Sequence, residues 1–268
     1  MKNSFIGIFN AVYISSFKGS DFVRFFMTFA YDGSKYNGYQ KQPKTKTIQG
    51  ELEKALKQIN GGKEVSLVAS GRTDAGVHAY NQRAHFDIET KITAEKLKLG
   101  INSLIPDDIY VKKVFEVDEK FHARFNVKAK EYIYKINMGV YNPIEKDYVY
   151  QYNKKLDISE MERALKYIEG THDFRSFVKI DEEKDDYVRT IVQTSLIREV
   201  KNVHQITISI LGTGFMRYMV RNIVGMLIEI GEGKYKSEEI INILKAQDRT
   251  KAGICAPACG LYLRDVYY

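Results

Sequence analysis

The most chemically loaded stretch of the chain is Ser70-Gly71-Arg72-Thr73-Asp74-Ala75-Gly76-Val77-His78, where a single carboxylate stands among glycines. Glycine lets a backbone take positive φ or approach a ligand closely. Gly71 and Gly76 flank an arginine, a hydroxyl and an acid, with no large apolar side chain to bury. A loop of this composition does little for a core, so Asp74 is the first candidate for chemistry. The competing reading is a plain turn in which Asp74 or Thr73 bonds its own backbone.

Two further stretches carry groups that suit such an acid. In Gly214-Phe215-Met216-Arg217-Tyr218-Met219-Val220-Arg221-Asn222-Ile223-Val224-Gly225, the residues Met216, Met219, Val220, Ile223 and Val224 form the apolar stripe of a helix. Arg217 and Arg221 then lie one turn apart and point the same way. Arg221 sits nearer the edge of the stripe, where a buried arginine needs a carboxylate partner; a solvated or phosphate-binding face is the alternative for the pair. In Lys128-Ala129-Lys130-Glu131-Tyr132-Ile133-Tyr134, a strand puts Tyr132 and Tyr134 on one face and Ile133 on the other. Core packing explains both tyrosines equally well, and spacing alone assigns neither to chemistry.

The elements that must hold these groups follow one pattern twice. Val23 to Tyr31 reads as a strand ending at Asp32-Gly33-Ser34. A helix runs from the N-cap Thr47 through Ile48, Leu52, Ala55, Leu56 and Ile59 to Asn60-Gly61-Gly62. Val65 to Ala69 is a strand leading into the Asp74 loop, Ala84 to Ile88 another, Thr93 to Leu104 a helix and Ile109 to Val117 a strand, giving βαββαβ. The second unit starts with a strand at Glu131 to Met138 and further extended chain at Tyr148 to Tyr152. A helix over Ile158 to Ile168 is closed by Gly170. A long polar loop from Thr171 to Asp186 follows, then a hairpin of Val188 to Val200 and His204 to Leu211 about Lys201-Asn202. Helices at Phe215 to Ile230 and Ser237 to Ala246 and a strand at Leu261 to Tyr267 repeat the βαββαβ order. The predicted fold class is therefore α+β, two ferredoxin-like units with antiparallel sheets joined around a central cleft. The predicted division is an N-terminal extension over 1–22, a unit carrying the Asp74 loop over 23–126 and a second unit over 127–268.

Composition bounds the partners. With 44% hydrophobic and 28% charged residues among 268, the chain reads as a soluble globular protein. Its net charge of +7 makes a polyanion, with nucleic acid foremost, the expected partner class, and 19 Tyr and 14 Phe supply faces for bases to stack on. Cys255 and Cys259 lack the two further ligands a zinc site needs, and the five histidines are scattered, so no metal is expected. The thiols fit a reducing cytoplasm. Phe5 to Ile14 imitates a signal-peptide core but is too short to span a bilayer and has no small-residue cleavage site after it, so no membrane association is expected.

The Gly71 to His78 motif resembles the active-site motif of the TruA-type tRNA pseudouridine synthases. The likeness extends in the family's order through Tyr31-Asp32-Gly33-Ser34, Gly38-Tyr39-Gln40, Phe121-His122-Ala123-Arg124-Phe125, Tyr132-Ile133-Tyr134, Asp173-Phe174-Arg175-Ser176-Phe177, Met219 to Gly225 and Asp248-Arg249-Thr250. The resemblance implies two ferredoxin-like units with the active cleft between them, a homodimer whose copies share a tRNA, and no cofactor. It implies Asp74 as the nucleophile, Arg221 as its carboxylate partner, and Tyr132 as the ring that stacks on the target base and moves a proton. Arg72 matches the arginine that displaces the uridine from its stem, and Thr73, His78 and Arg217 are the remaining expected substrate contacts. The implied substrate is uridine on the 3′ side of the tRNA anticodon stem-loop. Ribosomal RNA is the alternative substrate. Tyr39 stands where many members have tryptophan and Ala69 where some have cysteine. A non-catalytic RNA-binding protein is the rival reading, opposed by the complete set Asp74, Arg221 and Tyr132. A phosphate-binding hydrolase using the glycine loop as an anion nest is a third, opposed by the repulsion between Asp74 and phosphate.

Overall fold

Side chains alternate across a strand, and in β1 (Phe22–Tyr31) Phe25, Met27, Phe29 and Tyr31 enter one core while Phe26 enters another on the opposite face. The larger core is continuous through both halves of the chain, and the smaller one gathers Phe26, Val117 and Ala123 with Phe115, Phe121 and Tyr268. The computed structural model describes residues 22–180, 186–200 and 202–268. Residues 1–21 of the expected N-terminal extension, the acidic run at 181–185 and the hairpin residue Lys201 lie outside the described residues, while Phe22 already belongs to β1.

The first half runs β1, α1 (Ile48–Ile59), β2 (Val68–Ala69), β3 (His78–Glu89), α2 (Ala94–Leu104) and β4 (Ile109–Glu116). Thr47 and Thr93 cap the two helices, each hydroxyl accepting a backbone N–H three residues on. The second half runs β5 (Ala129–Asn137), β6 (Tyr150–Gln151), α3 (Ile158–Tyr167), β7 (Gly170–Asp173), β8 (Val188–Arg198), β9 (Gln205–Gly212), α4 (Met219–Gly231), α5 (Glu239–Ala246) and β10 (Leu261–Tyr267). The α+β class stands as expected; the first half keeps the βαββαβ order, and the second carries it with β6, β7 and α5 added.

The two sheets join edge to edge into one ten-stranded sheet of order β4-β1-β3-β10-β5-β9-β8-β7, with β2 added on β3 and β6 on β5. The last strand makes the seam. It pairs antiparallel with β5, and in parallel with β3 through Tyr262 opposite His78 and Leu263 opposite Ala79. Each half thereby covers the edge the other would expose.

Several expected segments differ. The strand expected at Ala84 to Ile88 starts at His78, where it pairs with β10, and runs to Glu89 along β1. Only Val68 and Ala69 of the Val65–Ala69 run join the ladder. Side chains of α1 substitute for a neighbouring strand one residue earlier: Glu53 Oε1 accepts the Leu67 N–H at 3.1 Å and Gln49 Nε2 donates to the Leu67 carbonyl at 3.2 Å. The Thr171–Asp186 loop contains β7 and a 3-10 turn at Arg175–Phe177, because Phe174 and Phe177 are both core residues that draw the chain inward. The helix expected from Phe215 starts at Met219, since Tyr218 takes the left-handed conformation with φ of 66°.

Candidate active site

The Asp74 loop leaves β2 and returns as β3, and the chain between β1 and α1 holds it from beneath. Tyr39 N–H donates to the Thr73 carbonyl at 3.1 Å, and the Thr73 hydroxyl pairs with Tyr31 Oη at 2.8 Å. Val77 N–H closes a turn on the Asp74 carbonyl at 3.2 Å, which Gly76 permits with φ of 76°. Thr73 is therefore a buried anchor, and burial pushes its partner phenol, Tyr31, up to about 12. The loop is both the turn and the platform: its backbone bonds leave the Asp74 side chain about one-fifth exposed and free of its own backbone.

The second half brings the cations. Arg221 Nη1 lies 3.5 Å from Asp74 Oδ2, and Arg217 Nε lies 3.9 Å from Oδ1. Arg221 is aimed by a 2.7 Å bond from its Nε to the Ala256 carbonyl, while Ala256 N–H donates back to the Arg221 carbonyl at 3.1 Å. Arg217 precedes α4 rather than lying on it. Its convergence with Arg221 comes from the left-handed turn at Tyr218, whose ring lies about 5 Å from both guanidinium groups. The Tyr218 contact was hidden from sequence reasoning, although the aromatic between two arginines in Arg217 to Arg221 is its trace.

Burial raises the Asp74 carboxyl above the ordinary aspartate value, against the opposing pull of Arg221 and Arg217. Tyr132, on β5, is 8% exposed and packs edge-on against Phe215 at 5.0 Å. Burial, then Tyr31 and Asp74, raise its phenol, so the Asp74 charge reaches it. A cavity of about 460 Å³ opens beside Arg221, lined in part by Lys179, Tyr218, Asn222, Arg249 and Cys255. Neither Asp74 nor Tyr132 is among its lining residues.

The remaining expected contacts separate. Arg72 is exposed and forms no ion pair with another described residue. His78 is 2% exposed: Nδ1 accepts the Gly33 N–H at 3.2 Å, Nε2 donates to the Asp147 carbonyl at 2.9 Å, and the ring stacks on Tyr262 at 4.6 Å. Burial lowers its pKa, in keeping with a neutral ring that pins the seam between the halves. Both ring nitrogens are engaged inside the protein, which leaves it a positioning part. Among the described residues, no three His, Cys, Asp or Glu side chains are grouped to hold a metal ion, and no helix is long and apolar enough to cross a membrane.

Lys130 belongs to the loop's support. Its Nζ reaches from β5 to the Ser70 carbonyl at 2.7 Å, while Gln82 binds the Ser70 hydroxyl at 2.7 Å and the Gly71 carbonyl at 3.1 Å. Burial, with help from Arg124, pushes the ammonium down to about 8. The native lysine thus releases its proton where the unfolded chain still holds one, and native stability gains as pH rises from about 8 toward the ordinary lysine value of about 10.4. The unfolding free energy of wild type minus that of Lys130→Met is expected to increase over that window in urea titrations. A pH-independent difference would contradict the buried ammonium.

The Asp74 carboxylate of one half thus lies between two arginines of the other, close enough to the buried Tyr132 for its charge to raise the phenol. The family model for tRNA pseudouridine synthase matches residues 27–126 and 164–268. A protein named tRNA pseudouridine synthase A from Geobacillus sp. (strain WCH70) is 45% identical over 242 residues, covering 90% of this chain and 96% of that protein. Proteins of the same name from Thermoanaerobacter sp. (strain X514) and Lacticaseibacillus casei (strain BL23) are 44% and 43% identical, covering 89% and 90% of this chain and 96% and 98% of their own lengths. The chain belongs to the tRNA pseudouridine synthase family.

Proposed function

We propose that the protein isomerises uridine to pseudouridine in tRNA, on the 3′ side of the anticodon stem-loop, with Asp74 as nucleophile. The observation that carries the reading is the carboxylate of one half facing two arginines of the other. Asp74 adds to the uridine, at C6 of the base or C1′ of the sugar; the C1′–N1 bond breaks, the uracil turns, and C5 bonds to C1′. The hydrogen on C5 then leaves as a proton, and the Asp74 carboxylate is regenerated. Burial, which raises the carboxyl, also makes it the stronger nucleophile, and Arg221 holds its orientation by a charge-assisted contact. Tyr132 stacks on the base and is the group placed to move a proton. Arg72, exposed and planar, takes the place of the extruded uridine in the stem. The reading extends, on family resemblance, to a cytoplasmic homodimer that shares one tRNA between copies.

Transcripts carrying tritium at uridine C5 test the substrate. Release is expected from tRNA and maps to the anticodon stem-loop; release from ribosomal RNA alone would overturn the tRNA assignment. The acidic limb of kcat/KM is expected above the ordinary aspartate pKa of about 3.9, because burial raises Asp74. Arg221→Met removes a cation that lowers that pKa, so its limb moves to still higher pH. A limb that stays in place would remove Arg221 from the carboxylate's environment.

A further inference from the structure

The Phe121-His122-Ala123-Arg124-Phe125 stretch takes no part in the catalytic cluster, yet its loop is locked at every turn. Asn126 Oδ1 accepts the His122 N–H at 2.6 Å, and Asn126 N–H donates to the His122 carbonyl at 3.0 Å. His122 Nδ1 accepts the backbone N–H groups of both Arg124 and Phe125 at 3.2 Å. The Ala123 N–H and carbonyl are held by His85 Nδ1 at 3.1 Å and Tyr268 Oη at 2.6 Å. On this rigid loop the Phe125 ring is 77% exposed and stacks on the His122 imidazole, centroids 4.1 Å apart and planes inclined by 24°. The imidazole is itself wedged edge-on against His85 at 4.8 Å. One face of the phenyl ring is therefore backed, and the other is left to solvent.

We propose that Phe125 is a stacking platform for an unpaired nucleobase of the RNA substrate, separate from the Asp74 cluster. The neighbours decide the kind of partner. Arg124, Asn126 and Lys128, the chain neighbours of the ring, are exposed and two of them are cationic. A flat aromatic face among cations is the surface on which single-stranded nucleic acid binds: the base stacks and the cations take the adjoining phosphates. Backing by His122 fixes the ring before binding, so little side-chain freedom is lost when a base arrives.

The inference rests on the RNA-isomerase reading, and the chain offers a clean probe for it. The sequence contains no tryptophan, so Phe125→Trp places a single indole at the platform. Its emission is expected to be quenched by tRNA and restored when salt releases the RNA. Phe125→Ala is expected to raise KM for tRNA roughly 5- to 100-fold, the loss of about one base stack, with kcat retained. Its melting temperature should match wild type because the ring is largely outside the core. A wild-type KM in Phe125→Ala, or no quenching of the indole, would overturn the platform while leaving the isomerase reading intact. A change in the dimer–monomer equilibrium with an unchanged KM would overturn it in favour of a contact between copies. Absence of tritium release by wild type on tRNA would instead strike the isomerase reading itself.

Discussion

Asp74→Asn is expected to abolish isomerisation while leaving the protein at least as stable as wild type at pH 7. Loss of a nucleophile lowers kcat by more than roughly 10⁴-fold where the rest of a site stays intact. The stability effect follows from the direction of the pKa shift. Burial raises the Asp74 carboxyl in the native protein, so the native state holds a proton at pH values where the unfolded chain has lost it. Stability therefore falls as pH rises through that window and remains lower above it. Asparagine carries no charge to bury and avoids that loss, and Arg221 retains its 2.7 Å bond to the Ala256 carbonyl. Thermal melts at pH 7 set beside activity check both halves of the expectation. A variant that is both inactive and markedly less stable would show Asp74 to be a structural acid.

The largest loss of stability is expected from Gly225→Ala. A Cβ there would sit inside the carbonyl oxygen of Ile254, a backbone atom that cannot rotate away. Helix α4 approaches the 254–256 segment this closely because Arg221, one turn earlier on the helix, exchanges two hydrogen bonds with Ala256. Forcing the two apart costs about 3 kcal/mol or more, at the upper end for overpacking, and lowers Tm by roughly 6–12 °C. It also moves Arg221 away from Asp74, so activity falls beyond what unfolding explains. Gly100→Ala provides the control. The added methyl in α2 meets only Ile59 side-chain carbons, at 3.5 and 3.9 Å, and alanine in a helix interior is favoured over glycine by about 1 kcal/mol. The same substitution should thus destabilise at Gly225 and stabilise at Gly100, and calorimetry on the two variants separates these outcomes.

The contrast between these glycines marks what a sequence can and cannot reveal. Helix α1 was legible because its period, its Thr47 cap and its glycine stop all agree, and β10 because seven residues of strand character end the chain. The Asp74 loop was legible as a site only through residues elsewhere that match a family, since its local composition describes a turn as well. The seam between the halves was not legible: β10 finds β3 across some 180 residues, and two register pairs in parallel leave no periodic signature. The late start of α4 was missed for a different reason. A tyrosine in the left-handed region is set by the packing of two arginines about its ring, and helical spacing in Phe215 to Val224 masks it. His78 shows the converse, a residue inside the Gly71 to His78 motif whose type invites chemistry but whose ring is consumed by Gly33, Asp147 and Tyr262.

The central claim is that the Asp74 carboxylate drives the exchange of the C1′–N1 bond for a C5–C1′ bond. The most direct test is single-turnover tritium release from tRNA labelled at uridine C5, with wild type and Asp74→Asn measured side by side. One tritium released per uridine converted is expected from wild type, and none above background from the variant. Release by Asp74→Asn at the wild-type rate, or pseudouridine formed by wild type with the C5 label retained, would contradict that claim.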